Sequence, residues 1–504
     1  MDISVGPNLT EAEARRIYAR GEAVVVFSLL EMAKMLADQQ AGMPNDLTPA
    51  TPSSGVPPYQ KPPPKSRPRK PGKKPGQPGL RRRRPPEFDQ ARQHRAECCP
   101  DCGGELNRCS ETRERFVEDI PEDLTPTVTR HVIHRDWCPG CKKHVEGVVT
   151  DALPGSQLGN RMLVLSAWMH YALGNTLSQV TSVLDHHLRM RVSEAGLLAM
   201  WHRLADVLWE WYEQIREEAL QSGVLHGDES GWRVNGKTHW LWCFCTDDLT
   251  YYLIDRSRGS PALKTFFTEE FPGTLVSDFW GAYNAVSGKA AQKCLAHLLR
   301  ELEHTEKYKS PGQQWPAFRK TLKRWIRDAI RLRQAHDKLT AQTYASRRDR
   351  LHKRLDALIA TEWEDKHGRR LVKRLRRHRG ELLTFLDQLD VPFDNNHAER
   401  QIRPAVIMRK NSFGNRSERG VQTQEVLMTI LRTLKQRGHQ PLDTLLSALT
   451  RYLQTNQLPP LPQKLTPDER GVTPFQARLD AQGSRDRGAN CDDCPRDHNG
   501  IGSI

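Results

Sequence analysis

Long apolar runs are what this chain most lacks. No stretch approaches the ~20 consecutive apolar residues that a membrane-crossing helix needs, which argues against a helical membrane protein. The apolar stretch from Ala23 to Leu30 is short, lies behind Glu11, Glu13 and Glu22, and is followed by no small-residue cleavage site, so it does not read as a secretory signal. Apolar residues make up only 37 % of the 504, so part of the chain is expected to lie outside any packed core. Acid is also in deficit: 61 Asp and Glu stand against 76 Lys and Arg, a net charge of +15, and the pI is about 9.4. That balance favours a polyanionic partner, the plain alternative being a generically basic soluble protein. Eleven cysteines in so long a chain do not make the dense framework of a small secreted domain, and four of them form two Cys-Pro-x-Cys knuckles. A reducing compartment and a bound metal fit that usage, and the chain reads as cytoplasmic.

What is present divides the chain into segments. Residues 1–40 read as short helices, with Phe27, Leu30, Met32 and Met35 at helical spacing. Residues 41–95 are rich in Pro, Lys and Arg; the run from Lys61 to Arg84 holds no acid and reads as a disordered basic arm or a solvated linker. Residues 96–153 carry the knuckles. Residues 154–222 are helical, with Ser193 as an N-cap, and resemble a helix-turn-helix segment able to bind DNA. The period then changes. Residues 223–300 read as three strands, a helix near Pro261–Phe267 and a buried strand Thr274–Ser277, with Asn235-Gly236 as the hairpin signal. Residues 301–390 form a basic helical insertion, in which Phe318, Leu322, Trp325, Ile326 and Ala329 make one apolar stripe. Residues 391–450 resume the α/β domain, and 451–504 read as a polar tail.

Three acidic residues stand in three distinctive frames: Asp228 in His-Gly-Asp-Glu-Ser-Gly-Trp, Asp278 in Val-Ser-Asp-Phe-Trp-Gly-Ala-Tyr, and Glu399 in Asn-Asn-His-Ala-Glu-Arg-Gln-Ile-Arg-Pro. Two carboxylates on strands and one on a helix are able to converge on two divalent metals about 3.5–4 Å apart and serve phosphoryl transfer. The bland alternative is a solvated acidic surface. Glu229 adjoins Asp228, but on a strand it points to the opposite face and is kept out of the site. On the Glu399 helix, Asn396, Arg400 and Arg403 lie within one turn of the carboxylate. Cys99-Pro-Asp-Cys102 and Cys138-Pro-Gly-Cys141 have the spacing of a tetrahedral Zn²⁺ site, against the alternative of free thiols. Cys98 and Cys109 are spare, and the isolated pair Cys491 and Cys494 is too weak a signal to assign.

These frames, with Cys294-Leu-Ala-His297-Leu-Leu-Arg300 and Arg409-Lys410-Asn411-Ser-Phe413-Gly414, resemble the insertion-sequence-66 family of bacterial transposases over most of the chain, from about Pro71 to about Leu445. The resemblance implies a ribonuclease-H-like catalytic domain, α/β in class, with Asp228, Asp278 and Glu399 as catalytic ligands of Mg²⁺ or Mn²⁺. It implies a zinc-binding module where the knuckles lie. It also implies hydrolytic nicking at transposon ends and strand transfer by the freed 3′-hydroxyl. Arg400, Arg403, Arg409 and Lys410 are candidate DNA contacts. His226 and His297 are either supports of the site or satisfied structural histidines. The partners implied are duplex DNA (terminal repeats and target), further copies of the chain on DNA, and companion proteins of the same element; no membrane is implied. The chain departs from the family at Ser230, where Thr is common, at Leu80, where His is frequent, and in a short or absent N-terminal zipper-like helix. The rivals are a nuclease that cuts without joining, a domesticated DNA-binding protein, and a zinc-dependent RNA-binding module.

Overall fold

The structure is a computed structural model. It describes residues 87–466 except 108–113, 118–119, 122–123 and 310, and before them only Tyr18, Ala19 and Val25. The expected N-terminal helices (but for those three residues), the basic arm, Cys109 and the Cys491/Cys494 pair lie outside the described residues. The chain divides into two compact units, Gly72–Cys294 with His378–Ile504, and Leu295–Arg377 with Met1–Pro71.

In the first unit, β1 (Arg135–Cys138) and β2 (Lys143–Glu146) form an antiparallel hairpin. Four helices follow: α1 (Asn160–Tyr171), α2 (Leu177–Leu188), α3 (Glu194–Val207) and α4 (Trp209–Leu220). Helix α1 is apolar on most faces and buried on most, which is why so short a helix is stable. A capping box between Thr176 and Gln179 starts α2, and the Ser193 hydroxyl accepts the Gly196 N–H to start α3. The sequence predicts one helix from Ser193 to Leu220; it is broken at Leu208, where ψ is 4°. Trp201 and Trp211 are core residues, and their indole N–H groups donate to Ser166 Oγ and to the Pro459 carbonyl.

Then comes a five-stranded mixed sheet in the order β5-β4-β3-β6-β7, formed by β3 (Val224–Val234), β4 (Lys237–Cys245), β5 (Thr250–Asp255), β6 (Phe271–Ser277) and β7 (Gly288–Lys293). Strands β3, β4 and β5 pair antiparallel, and β3, β6 and β7 pair parallel. Asn235 and Gly236, at φ of 48° and 73°, make the tight β3–β4 turn that both left-handed positions require. Helix α5 (Ser260–Phe266) crosses from β5 to β6. Strand β7, Gly-Lys-Ala-Ala-Gln-Lys, has no β-type signature; it is a strand because Gln292 is buried and exchanges hydrogen bonds with the Leu382 carbonyl and the Phe385 N–H.

The second unit is helical: α6 (Leu295–Tyr308), α7 (Trp315–Gln334), α8 (Ala341–Ala360) and α9 (Lys366–Arg377). The stripe read from the sequence is its core, with Trp315 added and Trp325 donating to the Leu351 carbonyl. Compactness of this unit ends at Arg377 rather than near 390, because residues after His378 hydrogen-bond to β7.

The first unit resumes with α10 (Thr384–Asp387), α11 (Asn396–Ser412), α12 (Glu418–Gln436) and α13 (Pro441–Thr455). The segment after Pro459 is not simply a polar tail: Leu461 is buried, and the carbonyls of Pro459 and Pro462 accept from Trp211 and Arg437.

Helix α12 closes the edge of the sheet. The Thr250, Tyr252 and Ile254 N–H groups of β5 donate to the side chains of Thr433, Thr429 and Glu425. The match is geometric, since four helical residues and two strand residues both advance about 6–7 Å. A strand edge that would otherwise invite another chain is thereby satisfied. Burial pushes the Glu425 carboxyl up to about 8. Its folded value lies above its unfolded one, so its contribution is full below the unfolded value and is lost as pH rises through 8. Glu425→Gln keeps the acceptor oxygen without the charge. It is expected to raise Tm by a few degrees at pH 8.5, about 2–4 °C per kcal/mol, and to leave Tm at pH 5 unchanged. A thermal melt at the two pH values checks this.

Candidate active site

The sheet register sets two of the three acids. His226 pairs with Val276 across the parallel β3–β6 ladder, and two positions further on stand Asp228 and Asp278, the latter just past the end of β6. Asp278 is buried, and its Oδ1 accepts the Trp280 N–H at 2.8 Å. Asp228 is partly buried and its Oδ1 accepts the Glu229 N–H at 2.9 Å. Burial first, then the carboxylates of Glu229, Asp278 and Glu399, push the Asp228 carboxyl well above the usual range.

Glu399 comes from the first turns of α11, and Asn395 places it. The Asn395 amide donates to the Gly227 carbonyl at 2.8 Å, its Oδ1 accepts from His226 Nδ1 at 3.0 Å, and its backbone N–H meets Cys294 Sγ at 3.1 Å. The Glu399 N–H then donates to the Asn395 carbonyl at 3.2 Å. The far end of α11 is tied down as well. Arg409 donates to Ser230 Oγ at 3.0 Å and to the Gly231 carbonyl. Asn415 pairs with the backbone of Arg233 and Asn235. Gly414 permits that close approach, because a Cβ there would lie 2.2 Å from the Arg233 carbonyl oxygen. In the sequence Asn395 only opens the motif that holds Glu399, and an Asn-Asn pair at a helix start is the local signal for its role.

Glu229 lies on the other side of the strand, as alternation requires. Its side chain is 3 % exposed. Oε1 accepts from Arg258 at 3.0 and 3.3 Å, and Oε2 accepts from the Tyr283 hydroxyl at 2.9 Å. Burial and the neighbouring Asp278 push its carboxyl up to about 7. The Arg258 guanidinium is sandwiched between Trp240 and Trp280, 4.4 and 4.1 Å from the two rings. Trp280 is therefore held by its indole N–H on the Arg258 carbonyl and by its own N–H on Asp278. Lys293 sits behind, 2 % exposed, donating to Ser277 Oγ at 3.0 Å, with burial pushing its amine below the lysine range. Sequence reading found neither Arg258 nor Lys293, since neither lies in a motif. Arg258→Met leaves Glu229 with only the Tyr283 hydroxyl. It is expected to cost roughly 1–3 kcal/mol in denaturant unfolding, with Arg258→Met/Glu229→Gln recovering part of the loss.

Of the candidate DNA contacts, Arg400, Arg403 and Lys410 are exposed, whereas Arg409 is engaged with β3. Arg400 borders a 630 Å³ cleft shared with His226, Asp247, Asp248, Asp394 and His397. His226 is buried, and burial holds its imidazole down at about 4, so it is neutral near pH 7 and acts as a support for Asn395. His297 lies on α6 in the helical unit, within 3.5 Å of Arg300.

The knuckles are turns. Cys141 N–H points at Cys138 Sγ at 3.4 Å in the β1–β2 hairpin, and Cys99 exchanges backbone bonds with Gly103 and Gly104. Backbone N–H groups of Cys102 and Asp101 on Cys99, and of Cys141 on Cys138, hold both thiols below the usual thiol range. That favours the thiolate form that zinc takes. At the other site the side chains on offer are carboxylates, whose oxygen donors are the type that hard divalent cations take. Among the described residues, no three His, Cys, Asp or Glu side chains close into one metal-holding group.

Residues 155–423 match the family described as Transposase IS66 family, and residues 96–142 match the zinc-finger binding domain of the same transposase. The first match spans Asp228, Asp278 and Glu399, and the second all four knuckle cysteines. Among curated proteins, the chain is 25 % identical over 398 residues to Uncharacterized protein y4qI of Sinorhizobium fredii, covering 70 % of each. It is 22 % identical over 402 residues to Uncharacterized protein y4jD of the same organism, covering 73 % of this chain and 77 % of that one. With more than half its length matched, the chain belongs to the IS66 family of transposases.

Proposed function

We propose that this chain nicks DNA at the ends of its element and joins the freed 3′-hydroxyl to target DNA, with Asp228, Asp278 and Glu399 holding Mg²⁺ or Mn²⁺. The observation that carries this reading is that Asp228 on β3 and Asp278, just past the end of the parallel strand β6, each stand two positions beyond the paired His226 and Val276, with the Glu399 helix tied to β3 by Asn395. The strand order, central β3 flanked by an antiparallel hairpin and two parallel strands, supports a ribonuclease-H-like catalytic domain. When bound, the divalent cations would lower the pKa of an attacking water and stabilise the leaving oxygen.

The chain itself supplies position and charge. Asn395 and Arg409 fix α11, so Glu399 needs little reorganisation as charge develops. Trp280 fixes one oxygen of Asp278 and leaves the other for a ligand. Arg400, Arg403 and Lys410, exposed along α11, would meet backbone phosphates. Cys99, Cys102, Cys138 and Cys141 would hold one structural Zn²⁺. Duplex DNA would be bound by further copies of the chain together, with companion proteins of the element.

The test is cleavage and joining of a duplex carrying the flanking element end, in Mg²⁺, in Mn²⁺ and with chelator. Metal-dependent cleavage followed by joining supports the proposal. Cleavage without joining reduces it to a nuclease. Tight binding without cleavage, even with the companion proteins added, overturns it in favour of a domesticated DNA-binding protein.

A further inference from the structure

The positive charge of this protein is not spread over its surface. Leu295–Arg377 holds 23 Lys and Arg against 10 Asp and Glu in 83 residues, an excess of 13 out of a net +15 for the whole chain. The segment Lys61–Arg84 adds 11 cations and no acid, so the rest of the sequence, where the candidate catalytic carboxylates lie, is net negative. A chain that must hold divalent cations and also a polyanion has reason to separate the two charges.

Within the helical unit the charge is organised. Helix α9, Lys-His-Gly-Arg-Arg-Leu-Val-Lys-Arg-Leu-Arg-Arg, buries Gly368, Leu371, Val372 and Leu375 on one side. Lys366, Arg369, Lys373 and Arg377 are exposed. Their spacing of three, four and four residues puts them in one row on the opposite side. The row is about 16 Å long at 1.5 Å per residue. Neighbouring cations are not equivalent: Arg370 and Arg374 are both committed to the buried Glu301, and Arg376 donates to the Ile359 carbonyl. Among the described residues none of the four in the row forms an ion pair. Like charges at this spacing repel and weaken a helix. Among the described residues no ion pair offsets that, whereas Glu303 and Asp328 do offset the cations of α7 and α8. A row of unpaired cations on a well-packed helix suits an external line of negative charge at regular spacing.

We propose that the α9 row is a phosphate-binding ridge for duplex DNA, so that the helical unit acts as a sequence-independent DNA-holding surface. It rests on the reading of the chain as a DNA-acting transposase and assigns to the insertion a part of that work. Each neutralised phosphate releases counterions, so the ridge has a signature in salt dependence: the slope of log K against log[salt] is about −0.9 per contact.

The test uses the full chain in chelator with a duplex of arbitrary sequence, across a range of salt. The variant Lys366→Gln/Arg369→Gln/Lys373→Gln/Arg377→Gln is compared with a control that removes four exposed cations of the other unit, Lys264→Gln/Lys289→Gln/Arg451→Gln/Lys464→Gln. The ridge variant is expected to flatten the slope by about 3.6 and weaken binding on the order of 10- to 100-fold at low salt. The control is expected to change the slope by less than about 1. Glutamine keeps helix propensity and relieves repulsion, so the ridge variant should melt at the same temperature or higher. An unchanged slope, or equal flattening in the control, overturns the ridge. So does a ridge effect seen on an RNA duplex of the same length and not on DNA. Chelator removes catalysis from the measurement, so a chain with no cleavage activity counts against the proposed function while the slope still decides the ridge.

Discussion

Asp278→Asn is expected to lower metal-dependent cleavage by at least about 10³-fold, some 4 kcal/mol in the barrier, while duplex affinity in chelator stays within about twofold. Asn keeps an oxygen to accept the Trp280 N–H, so the loop after β6 has no reason to move. What is lost is one anionic candidate ligand whose charge acts on both Asp228 and Glu229. Removing that charge relieves repulsion, so the variant should melt no lower than the wild type and tolerate higher pH better. This combination separates a ligand from a structural acid: a structural acid would cost stability and leave the rate nearly intact. Normal cleavage by the variant in Mg²⁺ would remove Asp278 from the site, and the two-strand geometry would then need another explanation.

The second large effect is expected at the knuckles. Cys141→Ser should take bound zinc from one ion per chain to none, read by elemental analysis of the purified protein. Structural zinc contributes on the order of 10–16 kcal/mol to folding small modules, and the β1–β2 hairpin has little else: its residues are mostly exposed and Trp137 is 56 % exposed. Limited proteolysis should therefore open residues 96–146 at a rate at least tenfold higher, while the core around Trp201 and Trp242, which takes no residue from 96–146, keeps its melting temperature. Cys98→Ser should leave zinc content at one. Loss of zinc in Cys98→Ser but not in a Cys99→Ser variant would exchange the two cysteines.

How much of this was legible in the sequence depended on the range of the interaction. Local chemistry read well. The Asn235-Gly236 turn, the Ser193 cap and the Phe318–Ala329 stripe each depend on residues within one turn of themselves. Alternation along β3 predicts different partners for Glu229 and Asp228, and the Glu229 carboxylate is bound by Arg258 and Tyr283. What failed needed partners far along the chain. β7 has no strand signature because its burial is decided by residues about 90 positions later. The segment around buried Leu461 reads as part of a polar tail because the side chains that bond to its carbonyls, Trp211 and Arg437, lie well back in the chain.

The sequence by itself determined the family, the identity of the three candidate acids and four candidate thiolates, and the basic excess. Those are properties of residue type and spacing, and they survive without coordinates in space. Only the tertiary structure decided that Asn395 bridges to β3, that Arg258 is clamped between two indoles, that Arg409 is spent on the sheet, and that Lys366, Arg369, Lys373 and Arg377 share one exposed row with no acidic partner among the described residues. The reason is physical: a side chain's chemistry belongs to its residue, but whether that side chain is satisfied or left over depends on groups that only folding brings within hydrogen-bonding distance.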